Sequence, residues 1–127
     1  MASESFIIPY PESKAERAKW SKAYGMNAYY AGKHWSARQS DAEYWHLMVM
    51  NCMNRQKVRR VPFEKPVAVV FYWNDRLDID NHAVMGKMIV DAMKGRVIVD
   101  DTRRWLCGVS HFFHDEDCIR VVVQEVS

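Results

Sequence analysis

The sequence predicts an α/β fold: one domain over residues 1–127, built as a two-layer sandwich with two main helices packed on a mixed β-sheet. Three observations predict it. Val67–Trp73 (VAVVFYW) is β-branched or aromatic throughout, as in a strand buried on both faces. Met85, Met88, Ile89, Ala92 and Met93 then fall at i, i+3, i+4, i+7 and i+8, one stripe of a helix that Gly95 ends. After residue 104 the chain returns to strand patterns, with no repeat and no linker-like stretch anywhere.

Taken in order, Ser5–Tyr10 reads as a first strand, which Pro9 confines to an edge or a strand end. Pro11–Tyr30 reads mainly as a long loop with a helical turn around Lys14–Trp20. Lys14, Arg17, Lys19 and Lys22 stand there among Trp20, Tyr24, Tyr29 and Tyr30. That mixture serves equally to grip a nucleic-acid strand or to pin the segment to the core. Ser36 is a plausible N-cap for a helix running to about Gln56, its buried stripe Ala42, Trp45, Met48, Val49, Cys52 and Met53. Arg55, Lys57, Arg59 and Arg60 close that helix. They complement its dipole and also offer a phosphate-contacting patch. Past Gly95, Val97–Val99 reads as a short strand beside Val67–Trp73. Trp105–Phe113 and Cys118–Val126 read as a β-hairpin with the polar tip His114–Asp117, and Ile119, Val121 and Val123 form the core face.

Composition narrows the function classes. The net charge of +2 alone says nothing about nucleic acid, but its distribution does. Residues 1–65 hold 11 Lys/Arg against 6 Asp/Glu, and residues 66–127 hold 7 against 10, an arrangement that suits a polyanion held over acidic groups. Cys52, Cys107 and Cys118 lie in apolar patterns without metal or disulfide spacing, and read as buried free thiols in a reducing compartment. The five histidines lack zinc-site spacing. No apolar run reaches the ~20 residues of a membrane span, and no signal-peptide pattern opens the chain, so a soluble, cytoplasmic protein is expected.

The chemistry concentrates in Asp78–Asp101. Asp78 and Asp80 stand at i, i+2, where an extended segment points both carboxylates the same way, with Asn81 next. Asp100 and Asp101 follow Val97–Val99. Singly, each group is ordinary capping or turn chemistry. If Val97–Val99 lies beside Val67–Trp73, the two groups converge, and a hard divalent cation relieves the repulsion.

D-x-D-N (Asp78–Asn81), a helix with Lys87 four residues before Asp91-Ala92, then Gly95 and Asp100-Asp101, resembles the RusA family of Holliday-junction resolvases. The likeness extends weakly upstream to Pro9, Pro11 and Asn27. In that family the lysine usually lies four residues after the second Asp; here Lys87 lies seven after Asp80, at a position on the same helix face. The resemblance implies an α/β fold, a homodimer, and a crossover junction endodeoxyribonuclease that cuts four-way or other branched DNA in recombination and repair. Asp78, Asp80 and Asp101 would then be catalytic metal ligands for Mg²⁺ (Mn²⁺ a possible substitute), with Asp100 a fourth. Lys87 would steady the reacting phosphate, and Asn81 would cap the helix and fix the carboxylates. Arg76, Arg55, Lys57, Arg59, Arg60 and Lys33 are the expected DNA contacts, and His82 is expected on the helix surface. Two other classes are open: a metal-dependent nuclease of flap or single-stranded DNA, and a non-catalytic DNA-binding module.

Overall fold

The computed structural model describes residues 2–26 and 35–126. Lys33, Asn27, Tyr29, Tyr30 and the side chain of Ser36 lie outside them. The fold is α/β. Four strands, β1 (Ser3–Pro9), β2 (Val67–Trp73), β3 (Leu106–Phe113) and β4 (Cys118–Glu125), form one mixed sheet in the order β1-β4-β2-β3. Three α-helices accompany it among the described residues: α1 (Lys14–Tyr24), α2 (Trp35–Arg55) and α3 (Ala83–Met93). A 3₁₀ turn, Ile79–His82, leads into α3. No helix among the described residues is long and apolar enough to cross a membrane.

β2 lies at the centre, antiparallel to β4 and parallel to β3, and its side chains alternate between fully and partly buried. On one face Val69, Phe71 and Trp73 join Phe6, Ile8, Ile119, Val121 and Val123 in a single core. The stripe Met85, Met88, Ile89, Ala92 and Met93 of α3 is buried as its spacing predicts, and α2 adds Trp45, Val49, Cys52 and Met53. Ala42 is exposed and Met48 only partly buried, so the α2 stripe is narrower than its pattern. Gly95, at φ +78°, ends α3 in the left-handed region that favours glycine.

Four expectations are corrected. The segment after Tyr10 is a full helix, α1, whose N-cap Ser13 accepts the Glu16 backbone N–H at 3.0 Å. Its Trp20 sits 4.9 Å from the Trp45 ring and its Tyr24 5.4 Å from it, so these aromatics pin α1 to the core. Val97–Val99 is not a strand. Lys94 and Ile98 make one isolated bridge, while Val97 and Ile98 are buried and Phe63 donates its N–H to the Val97 carbonyl. Val97 and Ile98 are apolar because they plug the core beneath the end of α3, while Val99 is exposed. β3 and β4 do not form a hairpin, since β2 lies between them and residues 114–117 cross its end, where the His114 N–H bonds the Trp73 carbonyl at 3.0 Å. Finally, Cys107 is exposed, on the edge strand β3, while Cys52 and Cys118 are buried.

Candidate functional site

The segment leaving β2 is closed into a loop by a buried ion pair. His82 is fully buried, which corrects its expected surface position. Its Nε2 faces both oxygens of Asp75, at 2.8 and 2.9 Å, and its Nδ1 faces the Ile79 carbonyl at 3.0 Å. A carbonyl only accepts, so Nδ1 carries a hydrogen, and one further proton bridges Nε2 and the carboxylate. The two side chains are 0% and 1% exposed. Asp75 also accepts the Leu77 N–H and the Tyr10 hydroxyl, whose oxygen accepts the Asn74 N–H at 2.8 Å. Burial is the main effect raising the Tyr10 pKa above its ordinary phenol value, so Tyr10 remains a donor. The network is saturated, which is what lets charge persist inside a core.

Residues 75–82 thus form a clamped loop, with Asp78, Ile79 and Asp80 on its outside, all exposed. Asp78 is the N-cap residue of the 3₁₀ turn but makes no side-chain capping bond. Asn81 lies inside that turn instead of capping α3, whose N-cap position is taken by His82. Gly25, just after α1, comes so close that an added Cβ would stand 3.0 Å from Asn81 Nδ2 and 3.3 Å from Leu77 Cδ2. Glycine there lets the end of α1 rest against the acidic turn.

Asp101 belongs to a different neighbourhood. Lys94 reaches its Oδ2 at 3.0 Å and Lys87 at 3.6 Å, and both also reach Asp91, at 3.1 and 3.4 Å. The Lys94 hydrogen bond chiefly holds the Asp101 carboxyl below the usual carboxylate range. Asp100 Oδ1 accepts the Asp101 N–H at 2.8 Å, a local turn bond. The topology explains the arrangement. Because β2 and β3 are parallel, Asp100 and Asp101 feed β3 at the Val67 end, whereas Asp78 and Asp80 follow β2 at its Trp73 end. The segment placed at that Trp73 end is instead Asp115–Asp117, tied there by Asn74 to the Glu116 carbonyl and by Arg17 to Asp117.

Carboxylates are the right donors for a hard cation such as Mg²⁺. Their arrangement does not form a centre, however: among the described residues no group of three or more His, Cys, Asp or Glu side chains is placed to hold an ion. The charge of Asp101 is met by lysine instead.

The cations divide in two. Arg76 is exposed and lines a cleft of about 610 Å³ between α1 and residues 74–77, together with Lys14, Arg17 and Lys22. The other group lies at the end of α2. There Arg59 stacks 3.8 Å over Phe63, Arg60 bonds Asn54 Oδ1 at 3.1 Å, and Arg55 and Lys57 are exposed.

Reasoning from sequence missed His82, Asp75 and Lys94. A signal existed for two of them. His82 lies three residues before Met85 and so extends the buried stripe by a turn, and Lys94 lies seven after Lys87, on the same face.

His111, missed with them, stacks on Phe71 at 5.3 Å and its Nδ1 accepts the Trp73 indole N–H at 3.0 Å. Burial first, and the nearby charge of His82 second, lower its pKa. The unfolded chain therefore takes up a proton near the ordinary value of ~6.5, before the folded chain does. Stability supplied by the neutral ring is present above that pH and is lost as pH falls below it. In calorimetry, His111→Gln should show a smaller drop in Tm from pH 7.5 to 5.5 than the parent chain; an equal drop refutes this role.

No known family model matches the chain, and no curated protein matches it.

Proposed function

We propose that the chain is an endodeoxyribonuclease that hydrolyses phosphodiester bonds in branched DNA, with four-way junctions as its substrate. One observation carries this reading. A buried clamp holds two exposed carboxylates, Asp78 and Asp80, without an ion-pair partner among the described residues, beside a cleft lined by four cations. Building a rigid buried network under an exposed acidic turn serves a site better than a connection. The basic lining supplies affinity for phosphate and the carboxylates supply local chemistry. The choice of a junction and the requirement for Mg²⁺ or Mn²⁺ rest on the RusA resemblance; of the four carboxylates it implies, Asp78 and Asp80 stand together on the acidic turn, while Asp100 and Asp101 lie in the other neighbourhood and do not join them. No step is assigned to the ion, since Asp101 is bound by lysines as it stands.

Lys87 belongs to the neighbourhood of Asp91 and Asp101. It lies one helical turn beyond the 3₁₀ turn and reaches Asp101. Its ammonium group is well exposed, so it is available to a bound phosphate. Lys87→Ala is expected to lower the single-turnover cleavage rate at saturating DNA by at least ~10-fold, or ~1.4 kcal/mol of transition-state stabilisation. An unchanged rate assigns Lys87 to a solvated ion pair with Asp91.

Paired cuts across a junction call for two copies of the site, most simply in a C₂ dimer. β3 suits such an interface: it is an edge strand without Lys or Pro, and Val109, Phe112 and Phe113 are exposed on it. Light scattering should give about twice the 14.9 kDa chain mass. A monomer at micromolar concentration, with junction DNA bound as well as without, refutes the dimer.

A further inference from the structure

The cleft between α1 and residues 74–77 has features that a solvated basic face does not need. Lys14, Arg17, Lys22 and Arg76 line it, against one carboxylate among the described residues, Asp75. That carboxylate is already taken up by His82, Tyr10 and the Leu77 N–H. The cleft therefore faces solvent as a net positive concavity. Two polar atoms of its lining residues are also buried without a hydrogen-bond partner among the described residues. They are Ser21 Oγ, in a residue 5% exposed, and Arg17 Nε, whose guanidinium uses Nη1 on Asp117 at 2.5 Å.

Size and lining narrow the ligand. About 610 Å³ is the scale of a small-molecule site, enough for part of one strand. Ala15, Ala18 and Leu77 add an apolar floor, but no aromatic ring among the described residues lines the cleft. Affinity then comes from phosphate, with little preference among bases. The lining ends at Leu77, and the next residue is Asp78, so a strand in the cleft continues directly to the exposed carboxylates. Gly25 keeps the wall and the acidic turn together through Leu77 and Asn81.

We propose that this cleft grips the sugar-phosphate backbone of an unpaired DNA strand immediately beside the carboxylates, so that the strand to be cut is presented single-stranded. That the polyanion is DNA rests on the nuclease reading; that the cleft binds a phosphate strand does not.

The test uses a fluorescein-labelled dT8 strand and a blunt duplex of equal length, followed by anisotropy in EDTA at low salt. The parent chain should bind dT8 more tightly than the duplex. Lys22→Ala/Arg76→Ala should weaken dT8 binding at least ~10-fold. It should also flatten the salt dependence, by about 0.7 in log–log slope for each phosphate left without its cation. Ala18→Phe, which fills the cleft without changing charge, should weaken dT8 binding by a similar factor. Lys65→Ala/Arg103→Ala, a control of equal charge change at exposed positions outside the cleft lining, should leave dT8 binding within ~2-fold. Should Ala18→Phe not give a cooperative melt, Arg76→Glu at an exposed position takes its place. Unchanged dT8 binding in Lys22→Ala/Arg76→Ala overturns the proposal, as does equal weakening in the Lys65→Ala/Arg103→Ala control. A duplex bound as tightly as dT8 also overturns it. Metal-dependent cleavage is scored separately. A chain that cuts nothing yet binds dT8 through these residues upholds the cleft and removes the nuclease.

Discussion

Asp80→Asn is expected to lower single-turnover cleavage of a four-way junction by at least ~100-fold, or ~2.7 kcal/mol in the transition state. The amide is nearly the same size and occupies an exposed position in the 3₁₀ turn, so the fold should survive. What changes is charge, which a hard cation requires of its ligands. Affinity for the uncut junction, measured in Ca²⁺ or EDTA, should hold or rise, because a carboxylate no longer repels the phosphates. Loss of binding together with cleavage would make Asp80 a structural residue of the interface. Full cleavage by Asp80→Asn would remove this turn from the chemistry. Asp78→Asn should behave alike, since the two carboxylates flank Ile79 on one turn.

The largest loss of stability is expected from His82→Leu. Leucine fills part of the space but leaves Asp75, 1% exposed, without the proton that His82 shares with it. Breaking a buried charge pair by removing one partner costs about 3–5 kcal/mol, a large part of the ~5–15 kcal/mol that holds a domain of this size. Urea unfolding should show this as a lower midpoint with the slope unchanged. The double variant Asp75→Leu/His82→Leu should recover part of the loss, because no lone charge then remains in the core. Strict additivity of the two single losses would show that the side chains do not act as a pair. The double variant, if folded, should still cleave poorly, since the loop that displays Asp78 and Asp80 has lost its clamp.

Much of the fold was legible because it is local. VAVVFYW could only be a well-buried strand, and the stripe from Met85 to Met93, ended by Gly95, could only be a helix packed on it. The alternation of Ile119, Val121 and Val123 likewise announced the core face of β4. Sheet order was not legible, because β3 and β4 are neighbours in sequence while β2 is inserted between them, and nothing local records a non-local pairing. Val97 and Ile98 misled for a related reason: apolarity reports burial, and burial beneath a helix end looks like a short strand. That misreading carried over to the site. With no strand at Val97–Val99, Asp101 falls beside Lys87 and Lys94, at α3 and its end, away from the predicted cluster of four carboxylates. His82 was obscure because a histidine after D-x-D-N looks solvated until its partner is known. Asp75 sits seven residues earlier, in what reads as a plain turn. The place of Arg76 beside the acidic turn was legible from its position alone, whereas the cleft it shares with α1 depends on a helix that the sequence reads mainly as a loop.

The most direct measurement is a cleavage panel on end-labelled DNA of equal length: four-way junction, flap, single strand and blunt duplex, each in Mg²⁺ and in EDTA. The nuclease reading predicts cutting in Mg²⁺ that is lost in EDTA, strongest on the junction, with paired nicks on opposite strands. Absence of cleavage on every substrate in both Mg²⁺ and Mn²⁺, with junction binding intact, would contradict it and leave a non-catalytic DNA-binding module.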